Sequence, residues 1–221
     1  MLLTGRIFLF ILAFAIAVYA LTFFSFETEG NFLSNKPEVL LDSFFYRLAF
    51  YLHVGGGAVA LAIGPFQFLP RLRKKRLSLH RVMGKVYLIA ILLSSLAGFS
   101  LAFFAQGGLP TGIGFGLLAV FWFFTSLMAY IHIRQKKIAL HREWMLRSFS
   151  LTFAAVTLRL WLALLLAGFR WSFDDAYLFV AYMCWIPNLL VMELILQWPK
   201  WRRRFNRASP SAFSSHDLSA K

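Results

Sequence analysis

Arg159 and four histidines lie within or at the ends of apolar stretches, where such residues do chemistry. Arg159 sits inside Phe149–Gly168, which carries no other charge. A guanidinium in hydrocarbon is costly, and it is kept for a buried partner, a water-filled cavity or an anionic ligand. The histidines His53, His80, His132 and His141 offer neutral imidazoles, which ligate metals and carry protons.

Helical spacing groups these residues. At ~100° per residue, His80, Gly84, Tyr87, Ser94 and Gly98 fall on one face of the third apolar segment. His141, Ser148, Thr152, Ala155 and Arg159 share a face of the fifth, and His53, Gly57, Ala60, Gly64 and Gln67 a face of the second. Small and polar stripes turn away from lipid, so the histidines point inward. His53 lies 17 residues from Pro70 and Arg159 lies 18 from His141, which at ~1.5 Å per residue puts both roughly 25 Å from the inner ends of their helices. Two layers are expected, an inner His80/His141 pair and an outer His53/Arg159 pair. His53, Arg159 and Gln67 are the candidate ligand-binding residues.

Two histidines on facing helices can hold a b-type haem as axial ligands of its iron, and His80 and His141 are the candidates. The other reading has the same pair capping helix starts and touching lipid phosphate. An arginine suits a haem propionate or another carboxylate. Hydrolytic metal chemistry is disfavoured because no His-Glu-x-x-His pattern is present. The single cysteine, Cys184, excludes an intrachain disulfide and a cysteine-based metal site. Glu193, the only acid in the apolar part of the last segment, is expected to pair with Arg147 or Lys85.

The elements that must position these residues follow from composition. The chain is 60% hydrophobic and 18% aromatic over 221 residues, more than a soluble domain hides. Six apolar runs account for it: about Ile7–Phe24, Phe44–Leu69, Val82–Phe104, Gly112–Ile133, Phe149–Gly168 and Ala176–Trp198. Each is near or above the ~18–20 residues that cross a bilayer as a helix. The ~10-residue alternating strands of a barrel are absent. The expected fold is an all-α polytopic membrane bundle of six transmembrane helices. The first run is too long for a signal-peptide core and lacks a small-x-small site at Phe24-Ser25-Phe26-Glu27, so a retained helix is expected.

The net charge of +14 is distributed as a topology signal. Arg71, Arg73, Lys74, Lys75, Arg76, Arg81 and Lys85 surround the second connection, and Arg134, Lys136, Lys137, Arg142 and Arg147 the fourth. Basic loops stay cytoplasmic, so both termini are expected inside. The clusters then meet anionic lipid of the bilayer rather than nucleic acid. A periplasm-active phosphatase fused after Gly108 should be active, and one fused after Lys75 inactive. The reverse pattern would overturn the topology.

Residues 1–199 are expected to form one six-helix domain with its core at 44–168, and 200–221 a basic, Ser-rich cytoplasmic tail. The first loop, Ser25–Ser43, has room for a short helix, and Ala105–Pro110 reads as a tight turn. Lys75-Arg76-Leu77-Ser78-Leu79-His80-Arg81 is echoed by Lys136-Lys137-Ile138-Ala139-Leu140-His141-Arg142, consistent with two related hairpins or with loops alike through shared topology signals.

The chain resembles the bacterial predicted-membrane-protein family called domain of unknown function 2306. The matching residues are His53-Val54-Gly55-Gly56-Gly57 to Gly64-Pro65-Phe66-Gln67-Phe68, Leu79-His80-Arg81 with Gly84-Lys85 and Tyr87, and His141-Arg142 with Trp144–Ser148 and Arg159, over about Phe44–Leu160. The resemblance implies a multi-pass protein of the bacterial inner membrane and brings no activity. The architecture is also similar to cytochrome b-561-type electron carriers, in which four central helices each give a histidine. His80 and His141 match one haem pair there and His53 part of the other. The fourth helix departs, since His132 lies at its inner end and Gly112–Phe123 has no histidine. The expected function is haem- or quinone-linked electron transfer or redox sensing. The alternative is a cofactor-free binder or small transporter of an anionic or lipid-like molecule.

Overall fold

The computed structural model describes residues 3–25 and 36–208. Helix α1 (Leu3–Tyr19) runs into a 3-10 turn at Ala20–Ser25. After the short α2 (Glu38–Leu41) come α3 (Phe44–Gln67), the connector α4 (Pro70–Lys75), α5 (Leu77–Ala102) and α6 (Gly108–Arg134). The fifth crossing is α7 (Ile138–Thr152) with α8 (Ala154–Ala163) and a π-helical turn at Leu164–Gly168. The sixth is α9 (Phe173–Met183) with α10 (Ile186–Ala208). Six helical stretches are thus long and apolar enough to cross a membrane.

Local chemistry sets the boundaries. Pro70 opens α4, where its missing N–H would be unpaired anyway. Gly107 and Gly108 take φ of 85° and 75° in the turn before α6, a region that favours glycine. On the same side Lys36 donates to the Phe104 carbonyl, and burial lowers the pKa of its ammonium. Ser172 caps α9, accepting from the Asp175 N–H at 3.2 Å.

Two spans differ from their sequence reading. The fifth begins at Ile138, well before Phe149, because its charged first turns are paired rather than excluded. Both the fifth and sixth are broken in mid-span. At Phe153 the carbonyl accepts from Val156 N at 2.9 Å and Thr157 N at 3.2 Å, a tightened turn between α7 and α8. In the sixth span, Pro187 has no N–H for the carbonyl four residues back, and the helix interrupts at Cys184–Trp185. Helix α10 then continues through Pro199, so no helix end marks the 199/200 boundary. Residues 209–221, including His216, lie outside the described residues.

Helices α3, α5, α6 and α7 form a central four-helix ring. Helix α1 covers α3, α9 lies on α6, and α10 on α7. Past Phe153, α8 packs mainly on α9 and α1. The α3–α5 seam is close: a Cβ on Gly56 would lie 2.7 Å from the Ala90 carbonyl oxygen. The end holding α4 and the α6–α7 turn is the basic end. His80 and His141 are each the fourth residue of their helix there, donating backbone N–H to Arg76 and Lys137 at 3.0 and 2.9 Å. The echoed sequences therefore occupy equivalent helix starts.

Candidate functional site

The inward stripes meet in a buried hydroxyl network at the centre of the ring. Tyr87 OH lies 3.1 Å from Ser148 Oγ and 3.0 Å from Thr152 Oγ1. Trp122 Nε1 donates to Thr152 Oγ1 at 2.9 Å, and Ser126 Oγ lies 2.8 Å from Ser148 Oγ. All five side chains are buried. A satisfied network of this kind fixes three helices in one register. Gly64 of α3 leaves space beside it that Phe149 and Tyr87 fill, since a Cβ there would meet Phe149 at 2.6 Å.

Toward the far end stand His53 and Arg159. His53 Nδ1 lies 2.9 Å from the Ser94 carbonyl oxygen, and the Ser94 hydroxyl donates to the His53 carbonyl at 2.7 Å. A carbonyl only accepts, so Nδ1 carries the ring proton and Nε2 keeps its lone pair in the neutral ring. The ring fills a notch in α5 at Gly98, where a Cβ would lie 2.6 Å from Nδ1. Arg159 Nη1 donates to the Ala155 carbonyl at 2.7 Å, and the guanidinium stands 5.4 Å from the Tyr19 ring centroid. Among the described residues it has no carboxylate partner. It is close enough to His53 and Tyr177 to interact with both electrostatically. The outer pair named from the sequence is thus linked by charge alone, and each side chain bonds within its own surroundings, His53 to Ser94 and Arg159 to Ala155.

Gln67 is not with them. It ends α3 at the basic end, buried, its Oε1 3.4 Å from where a Cβ on Gly84 would stand. His80 stands one turn below Gly84 and within electrostatic range of His141 and Arg73. His141 Nδ1 donates to the Ala129 carbonyl at 2.8 Å. Among the described residues, three buried polar atoms here have no hydrogen-bond partner: Gln67 Nε2, Arg73 Nε and His80 Nδ1. His132 instead donates to Met128 O of its own helix at 2.6 Å and stacks on Trp144, outside this group.

Glu193 receives a two-pronged bond from Arg147, through Nε and, at 3.0 Å, Nη2. This is the structural ion pair expected from depth. Trp144 lies under the guanidinium at 4.7 Å, and Gln197 donates to the same carboxylate at 3.3 Å.

Sequence reasoning missed Asn188 and Thr157. Asn188 Nδ2 lies 2.9 Å from Cys184 O, 3.0 Å from Thr157 Oγ1 and 3.3 Å from Ser150 O. Thr157 Oγ1 donates to Cys184 O at 2.5 Å. The two side chains satisfy backbone freed by both helix breaks, as irregular backbone at membrane depth requires. The Pro187-Asn188 pair inside an apolar run was the signal for it.

A family model described as predicted membrane protein, DUF2306, matches residues 50–196, from α3 into α10. No curated protein and no solved structure matches the chain.

Proposed function

We propose, for a chain that belongs to the DUF2306 family of predicted membrane proteins, a role as binder or small transporter of an anionic, lipid-like molecule in the bacterial inner membrane. The observation that carries this reading is Arg159, a guanidinium inside a span with no carboxylate partner among the described residues. Its neighbours are an aromatic face and one carbonyl of its own helix, with the imidazole of His53 within electrostatic range. Arg159 supplies donors and positive charge. His53 supplies an acceptor, Nε2, on a ring whose tautomer Ser94 sets. The pair complements a group with one anionic or carbonyl oxygen and one O–H, such as a carboxylic acid. His53 would take or give that proton.

The reading is tested with a long-chain fatty acid bearing a diazirine, photolysed with the purified protein. Labelling is expected on the peptides holding Tyr19 and residues 154–168, and the matching long-chain alcohol should label them far less. Equal labelling by acid and alcohol would reject an anion site.

A redox reading has one observation in its favour. The Ala129 carbonyl fixes His141 with Nε2 as the free nitrogen, as a backbone acceptor does for a metal-bound imidazole. His80 would be the second residue to hold a haem b, though among the described residues no carbonyl anchors its Nδ1. Bound haem would supply one-electron transfer, and Arg159 would suit a quinone carbonyl. Protein expressed with haem supplied should then show low-spin b-type bands when reduced, lost in both His80→Ala and His141→Ala. A colourless protein excludes the haem.

A further inference from the structure

The basic end holds a feature that the Arg159 reading does not use. Gln67 Nε2, Arg73 Nε and His80 Nδ1 come from three consecutive elements, α3, α4 and α5, and each of these atoms is shielded with no hydrogen-bond partner among the described residues, Arg73 and His80 being half-buried as whole side chains. Gln67 is only 5% exposed. Buried polar atoms are nearly always hydrogen-bonded, so three orphans at one end of a bundle call for an absent partner. Two of the three can only donate, and the imidazole nitrogen can. The partner must therefore be rich in acceptors.

Charge narrows it further. Residues 68–85 hold seven cations, Arg71, Arg73, Lys74, Lys75, Arg76, Arg81 and Lys85, and no acid. His141 adds a second imidazole within electrostatic range of His80. A neutral carbonyl ligand would leave that field unmatched, whereas an oxyanion answers both the donors and the charge. The site lies where the α3 span ends and the α5 span begins, beside the basic loop that the positive-inside rule sets against headgroups.

We infer that Gln67, Arg73 and His80 form a binding site for a phosphate group at the basic end, separate from the Arg159 site. The guanidinium of Arg73 meets the phosphate from α4, the Gln67 amide from below the Gly84 notch, and His80 from the first turn of α5. The group comes either from a phospholipid headgroup or from free phosphate. The exposed lysines of the loop attract the anion without contacting it.

Native mass spectrometry of the full chain in neutral detergent tests this. Phosphatidylglycerol should be retained and diacylglycerol, which lacks the phosphate, should not. Gln67→Leu and Arg73→Gln should each lower retention by at least about tenfold, the scale of one hydrogen bond to a charged group. Lys74→Gln removes the same charge as Arg73→Gln from an exposed position and should leave retention unchanged. Gln67→Glu keeps the shape, adds repulsion and should abolish binding, so the site stays testable if the leucine variant misfolds. Excess inorganic phosphate that displaces the lipid would identify the phosphate alone as the ligand. Failure to displace it would make the acyl chains part of the site. Equal losses in Lys74→Gln and Arg73→Gln, or unchanged retention in both Gln67 variants, would overturn the proposal in favour of diffuse attraction to the basic loop. Arg159→Leu should not alter this retention, so the two sites stand or fall apart.

Discussion

Arg159→Leu is expected to remove fatty-acid labelling around Tyr19 and α8 by roughly two orders of magnitude, the scale of losing two hydrogen bonds to a charged group. The protein should still insert. Its melting temperature should hold or rise, because the variant exchanges a guanidinium without a carboxylate partner for a side chain that hydrocarbon accepts. Arg159→Lys should fall between. An ammonium keeps the charge, but it cannot present a planar fork or stack on Tyr19 as a guanidinium does. The Arg159 guanidinium donates to the Ala155 carbonyl of its own helix, not to another helix, so its loss would remove ligand contacts without unlinking the bundle. Labelling of Arg159→Leu at the wild-type level would make the residue a tolerated passenger beside Tyr19 and would end the case for an outer site.

The hydroxyl network between the two polar layers bears on which activity such a site can support. Tyr87, Ser148, Thr152, Trp122 and Ser126 are buried and bonded to one another across α5, α6 and α7. A ligand passing from the His53 layer to the basic end would have to break several of these bonds. A binder or sensor need not. The helix breaks at Phe153 and at Cys184–Trp185 supply a place to bend. Asn188 and Thr157 already bridge them, tying α8 and the end of α9 to α10 and, through Ser150, to α7.

Much of this arrangement is legible in the sequence, and for identifiable reasons. Hydrocarbon thickness sets span length, so six apolar runs give six spans. Lipid exclusion of small and polar residues sets orientation, so the Tyr87, Ser94, Ser148 and Thr152 stripes face inward. Counting residues from the helix ends pairs Arg147 with Glu193, as the hydrogen bonds show, and sets His53 within electrostatic range of Arg159. Gln67 shows the limit of the method. It shares a face with His53, but a face spans the whole membrane, and fourteen residues put Gln67 at the opposite end. The start of the fifth span is hidden because hydropathy counts Arg142, Glu143 and Arg147 as exclusions, whereas the fold neutralises Arg147 with two carboxylates. The orphaned Arg73 is hidden among like charges in a loop whose basicity topology already explains. Only burial separates it from Lys74.

The Arg147–Glu193 pair should show the second large effect, and its sign depends on how the pair is removed. The Arg147 side chain is 11% exposed and that of Glu193 36%. Arg147→Ala leaves the carboxylate half-sheltered with its main cation gone, and also removes the stacking on Trp144. Breaking a buried pair from one side costs ~3–5 kcal/mol, and the exposure of Glu193 brings the expectation to the lower end, about 2–3 kcal/mol. Glu193→Leu should cost less, because Glu143 remains 3.9 Å from Arg147 to share its charge. Replacing both together, Arg147→Met with Glu193→Leu, should return stability to within about 1 kcal/mol of the original, since apolar residues in place of a buried pair are often neutral or favourable. Thermal unfolding in one detergent, run as a double-mutant cycle with Arg147→Met as the matching single variant, reads the coupling directly. Additive losses would mean that the two side chains act independently. The α7–α10 contact would then rest on apolar packing, with the ion pair a consequence of the fold rather than a part of what fixes it.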